Sequence, residues 1–70
     1  MSMIIVHDWA VAYRYWATLV RLASHGDDVL ITHSDGAMGR LVTVGPPAFP
    51  LGPERLAGLR RAIKRRLTSA

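Results

Sequence analysis

A chain of 70 residues without cysteine buries only about 60% of the surface its unfolded form exposes and has no disulfide to compensate, so one domain supported by a second subunit is expected. Half of the residues are apolar, too many for a disordered chain. No apolar run reaches the roughly 18 residues of a membrane span, and the first residues lack the charged start and cleavage site of a signal peptide, so a cytoplasmic location without a membrane partner is expected. The net charge of +4 is concentrated at one end. From Pro53 onward Arg55, Arg60, Arg61, Lys64, Arg65 and Arg66 stand against Glu54 alone, while the rest of the chain is slightly acidic. Such a field attracts nucleic acid, an acidic protein surface or an anionic membrane alike.

Met3-Ile4-Ile5-Val6 is a short β-prone run, and Asp8 after it suits the N-cap of a helix starting at Trp9. On a helical wheel Trp9, Val11, Ala12, Tyr13, Tyr15, Trp16, Leu19, Val20 and Ala23 fill an arc of roughly 200°, with Arg14, Thr18, Arg21, Ser24 and His25 opposite. An arc this wide is more than one sheet needs. It predicts that Trp9, Tyr13, Trp16, Leu19 and Val20 also meet a second subunit. Gly26 stands where a helix ends in a left-handed residue.

The next strand runs through Val29-Leu30-Ile31-Thr32, and its weak alternation predicts cover on both faces. His33-Ser34-Asp35-Gly36-Ala37-Met38-Gly39 carries an Asp-Gly turn signal and a second glycine. A hairpin to Arg40-Leu41-Val42-Thr43-Val44 follows. The Pro-rich stretch 46–52 reads as an extended connector. Pro53 then suits the first position of a helix, Glu54 complements its positive end, and Leu51 can pack on Leu56 across the cap. Leu56, Leu59, Ile63 and Leu67 form its apolar stripe; Arg61, Lys64 and Arg65 lie on the far side, with Arg55, Arg60 and Arg66 along the flanks.

Strand, helix, Gly turn, an apolar-apolar-Ile-Thr strand and a Gly hairpin, centred on Val29-Leu30-Ile31-Thr32-His33-Ser34-Asp35-Gly36, resemble the core of the Phd/YefM antitoxin family over about 40 residues. The resemblance implies an α/β fold. Residues 1–45 would form a strand-helix-hairpin (β-α-β-β) dimerisation and DNA-binding core, 46–52 a connector, and 53–70 a basic helix that binds a partner. It further implies an autorepressor that binds operator DNA as a homodimer or higher oligomer and neutralises a cognate toxin. Arg14, Arg21 and His33 are the candidate DNA contacts, with His33 where the family often has a basic residue after Ile-Thr. Leu56, Leu59, Arg60, Ile63, Lys64 and Leu67 are the candidate toxin contacts, an arginine reaching an acidic pocket of the toxin. The family's Ser-Glu-Ala-Arg helix start is replaced here by Trp9-Ala10-Val11-Ala12, and the tail is basic where family tails are often acidic or mixed.

Two other readings use the same residues: a protein-interaction module without specific DNA binding, and a basic helix lying on RNA or on an anionic membrane surface. No enzyme is expected. His7 with Asp8 and His33 with Asp35 come without a nucleophile motif or phosphate loop, and the three scattered histidines offer neither a metal site nor a cofactor site. Leu19→Asp and Trp16→Asp are expected to break the dimer and the fold together, an unpaired buried carboxylate costing several kcal/mol against a total of about 5–15 kcal/mol. Sedimentation and circular dichroism of the two variants check this. A monomeric, fully folded Leu19→Asp chain is the outcome that would refute the assignment of Leu19 to the interface.

Overall fold

The computed structural model describes residues 2–68; the last two positions of the expected 53–70 segment lie outside the described residues. The chain is α/β, with strand β1 (Met3–Val6), helices α1 (Trp9–Arg14) and α2 (Trp16–Ser24), strands β2 (Asp28–Thr32) and β3 (Met38–Leu41), and helix α3 (Pro53–Thr68). The sheet order is β1-β2-β3, with β2 parallel to β1 and antiparallel to β3. A parallel neighbour requires a crossover, which α1 and α2 supply.

Asp8 caps α1 as its position predicts, its Oδ1 accepting the Ala10 N–H at 3.3 Å. A single helix from Trp9 was expected, but a turn at Tyr15 divides it in two. Each part then reaches the sheet separately: Ala12 on α1 and Leu19 and Leu22 on α2 are all fully buried. The second part ends in a Schellman motif. Gly26, at φ 98°, donates its N–H to Ala23 O at 3.0 Å, and Asp27 donates to Leu22 O at 3.1 Å. A left-handed residue is needed there, and glycine has no Cβ to oppose it.

Ile4, Val6, Val29 and Ile31 turn one sheet face toward the helices and join Ala12, Leu19, Leu22 and Ile63 in the core. The strand alternation places Met3, Ile5, Leu30, Met38 and Arg40 on the other face. Among the described residues no element covers that face. Met3, Ile5 and Met38 are exposed on it and Leu30 is half-buried, so the expected cover on both faces of β2 is supplied on one side only.

The hairpin turn falls at Asp35-Gly36 as expected, with Gly36 N–H donating to His33 O at 3.0 Å and the Asp35 carboxylate accepting Ala37 N–H at 2.9 Å. The returning strand starts earlier than the sequence suggested. Met38 pairs with Thr32 and Gly39 with Ile31, so Gly39 belongs to the strand and not to the turn. Its missing side chain makes room for an indole: a Cβ there would stand 2.9 Å from Trp9 Cζ2 and 3.0 Å from Cη2.

Helix α3 packs beside α2 and sends Ile63 into the core, with Leu56, Leu59 and Leu67 against it. It is therefore a layer of the fold, not an appendage behind a linker. Leu19, read as a subunit contact, is wholly enclosed by its own chain; it has no surface to offer a second one. Leu19→Asp thus tests the fold, and Trp16→Asp tests the surface. A methyl group at Gly39 must displace the Trp9 ring, so Gly39→Ala should cost about 1–3 kcal/mol, read from urea denaturation followed by tryptophan fluorescence. An unchanged midpoint and emission spectrum would show the ring to be free to move.

Candidate nucleic-acid and partner interface

Among the described residues the buried charged side chain is that of Asp27, which closes the Schellman turn and directly precedes β2. Its side chain is 0% exposed, yet both oxygens are occupied: Arg60 Nε donates to Oδ2 at 2.7 Å and Nη2 to Oδ1 at 2.8 Å. Ser2 N–H adds a longer contact to Oδ1 at 3.4 Å. The geometry is the two-pronged fit of guanidinium to carboxylate that makes arginine, not lysine, the partner for a buried acid. Hydrogen bonding to Asp27 raises the Arg60 guanidinium above its ordinary value, against a smaller opposing effect of burial. The sign follows directly: stability gained at the arginine end is complete below the unfolded value and fades only in strong alkali, so Arg60 stays charged at any physiological pH.

Arg60 was a candidate toxin contact, and the structure gives it a different task. With Leu56, Ile63 and Leu67 it falls within one helical side (i, i+4, i+7, i+11), and that side is turned inward. A cation inside an apolar stripe was the legible signal that it has an internal partner; Asp27, 33 residues earlier, carried no local mark. Leu56, Leu59, Ile63 and Leu67 are likewise committed to the core and to its margin, so they form no free docking stripe. Lys64 Nζ donates to Ser2 Oγ at 3.0 Å, tying the middle of α3 to the start of β1. The apolar side of α3 is equally unavailable to a membrane surface, and among the described residues no helix is long and apolar enough to cross a membrane.

What α3 leaves outside is cationic. Arg55, Arg61 and Arg65 are exposed and pair with no carboxylate among the described residues. The three residues expected to touch DNA do not converge. Arg14 and Arg21 are exposed on α1 and α2, with Arg21 close to the end of α2 that feeds the start of β2, whereas His33 follows the far end of that strand. The five residues of β2 set these ends apart by about 17 Å. His33 also faces an acid of its own turn, with Nδ1 3.2 Å from Asp35 Oδ1, and this dilutes its attraction for phosphate.

The expected subunit contacts separate as well. Tyr13 is 66% exposed and lies between Trp9 and Trp16, its ring tilted 41° to each with centroids 6.1 and 5.9 Å apart. Trp16 and the half-buried Val20 border a groove of about 590 Å³ between α2 and the 43–49 segment, walled on the far side by Val44, Pro47 and Phe49. Val44 is 99% and Phe49 79% exposed. Sequence reading missed this groove because both walls come from segments that it treated separately, a helix and a connector. Among the described residues no three His, Cys, Asp or Glu are arranged to hold a metal.

The chain matches no family model, no curated protein and no solved structure.

Removing the guanidinium strands a carboxylate that has no water to turn to. Arg60→Ala should therefore lower the melting temperature far more than Arg61→Ala, and Arg60→Lys should recover only part of the loss. Thermal unfolding of the three variants at neutral pH decides it; equal losses at positions 60 and 61 would mean that the pair is not what holds α3.

Proposed function

We propose that this protein is a small dimeric DNA-binding regulator of the antitoxin type, and that the outer, cationic side of α3 is its contact with the phosphate backbone. One observation carries the proposal: the apolar stripe of α3 and Arg60 are used inside the fold, which leaves Arg61 and Arg65 on the far side and Arg55 on the flank as exposed cations a partner would meet. Exposed arginines without carboxylate partners suit a polyanion, where each phosphate contact releases condensed counterions. The Phd/YefM resemblance supplies the operator as target and toxin neutralisation as the companion activity. A dimer would double the cationic patch across a two-fold axis, as a pseudo-palindromic site requires. Exposed Tyr13 and Trp16 and the uncovered apolar sheet face are the surfaces that would support the second subunit.

A protein partner is the second reading, and the groove beside Phe49 and Val44 favours it. Large apolar groups that exposed are typical of surfaces that meet another protein. On this reading a toxin would be gripped by the connector and α2, with the α3 cations reaching its acidic residues, and not by the leucine stripe.

The two readings separate in a titration of labelled duplex from upstream of the gene against an unrelated duplex, at low and physiological salt. The regulator reading expects preference for the upstream duplex that survives salt. Substituting Arg55, Arg61 and Arg65 together by alanine should then weaken binding and reduce the salt slope by about 0.9 for each of them that touches a phosphate. Equal, salt-labile binding to both duplexes would reject the regulator and leave the protein partner.

A further inference from the structure

We propose that His25 is a proton-operated latch that holds the Pro-rich connector against the end of α2. The inference rests on the use of both ring nitrogens and is independent of the function proposed above. Nδ1 lies 2.8 Å from Arg21 O, one turn back on α2, and Leu51 N–H donates to Nε2 at 2.9 Å. A carbonyl can only accept and a backbone N–H can only donate. The two contacts therefore define one state of the ring: neutral, with its proton on Nδ1 and a lone pair on Nε2. Ser24 Oγ also lies 3.4 Å from Nδ1, but it donates its one proton to Arg21 O at 2.8 Å and has none to give the ring.

The Leu51 bond matters because the connector has few others to make. Pro46, Pro47, Pro50 and Pro53 carry no N–H, and the 45–52 stretch belongs to no helix or strand. Its downstream end is held by Leu56 N–H donating to Gly52 O at 3.0 Å, which opens α3. Its hydrogen bond to the end of α2 is the one that Leu51 N–H donates to His25 Nε2.

A proton added at Nε2 acts on the two bonds in opposite senses. Toward Leu51 it sets donor against donor and breaks the bond. Toward Arg21 it leaves Nδ1–H in place and adds a positive charge at a helix C-terminus, where the dipole favours cations. The helix end is kept and the connector is let go. The segment released continues the wall that carries Pro47 and Phe49, so the groove against Trp16 and Val20 loses its fixed width. The charged side chains on the elements meeting at the ring are Arg21 on α2, Asp27 and Asp28 beyond it, and Glu54 and Arg55 at the start of α3. Asp27 is already committed to Arg60, so among the described residues no buried acid is left free to compensate for the lost bond.

Nitrogen-15 NMR of the full chain tests the latch. At a pH where the ring is neutral, Nε2 of His25 should resonate as an unprotonated nitrogen and show coupling through the hydrogen bond to Leu51 N. On acidification the Leu51 amide should lose about tenfold of its exchange protection, the worth of one hydrogen bond, in step with His25. The Gly26 and Asp27 amides should keep theirs, and the titrations of His7 and His33 should leave Leu51 unmoved. His25→Phe should show the released connector at every pH with Leu22 and Ile63 amides still protected. A neutral ring protonated on Nε2, or a Leu51 amide indifferent to the His25 titration, overturns the proposal. Should His25→Phe fail to fold, the wild-type ring and amide measurements decide it alone.

Discussion

Arg60 and Asp27 join the three places where this small fold would otherwise come apart: the end of α2, the entry to β2 and the middle of α3. Around them Asp28 N–H donates to Ser2 O at 2.9 Å and Lys64 reaches Ser2 Oγ, so the start of β1 is held in the same knot. Such a pair is not a cheap source of stability. Removing two charges from water opposes folding, and the attraction between them only offsets that when every lone pair is met. Its value lies in selection. A leucine stripe can slide or rotate against a neighbouring helix at small cost, whereas a buried carboxylate tolerates one register of α3, the register that delivers a guanidinium.

That constraint decides which side of α3 faces outward, and so decides the chemistry available to a partner. With Arg60 inward, Ile63 enters the core and Arg55, Arg61 and Arg65 remain in solvent. The helix is both a structural layer and a charged surface, its two sides doing different work. For a chain of this size the economy is understandable, since no residues are spare for an independent binding arm.

The sheet carries the complementary imbalance. All helices lie on one side of it, and the other side keeps Met3, Ile5 and Met38 in solvent. A two-layer domain satisfies one sheet face only. The uncovered face, the Tyr13–Trp16 ring pair and the groove beside Phe49 are the apolar surfaces an assembly would draw on, while Arg55, Arg61 and Arg65 on α3 are charged. The densest cationic surface, on α3, thus lies on a different element from these apolar surfaces, an arrangement that allows a subunit contact and a polyanion contact to coexist.

Much of the local structure was legible in the sequence because it depends on neighbours in the chain. Asp8 as N-cap, Gly26 as helix terminator, the Asp35-Gly36 turn, Pro53 opening α3 and the order of strands and helices all follow from backbone geometry and short-range hydrogen bonding. Arg60 reads as a flank residue reaching outward to a partner, although its spacing from Leu56, Ile63 and Leu67 puts it on the inward side. What the tertiary structure alone decided is who meets whom. Gly39 reads as a turn glycine until Trp9 is laid across it, Leu19 as an interface residue until α2 is pressed on the sheet, and His25 as a surface histidine until Leu51 arrives from the connector. Asp27 carries no local mark of its partner until Arg60 reaches it. In each case the deciding partner lies 26 or more residues away or on another element, and hydrophobic periodicity carries no information about which distant side chain fills a given space.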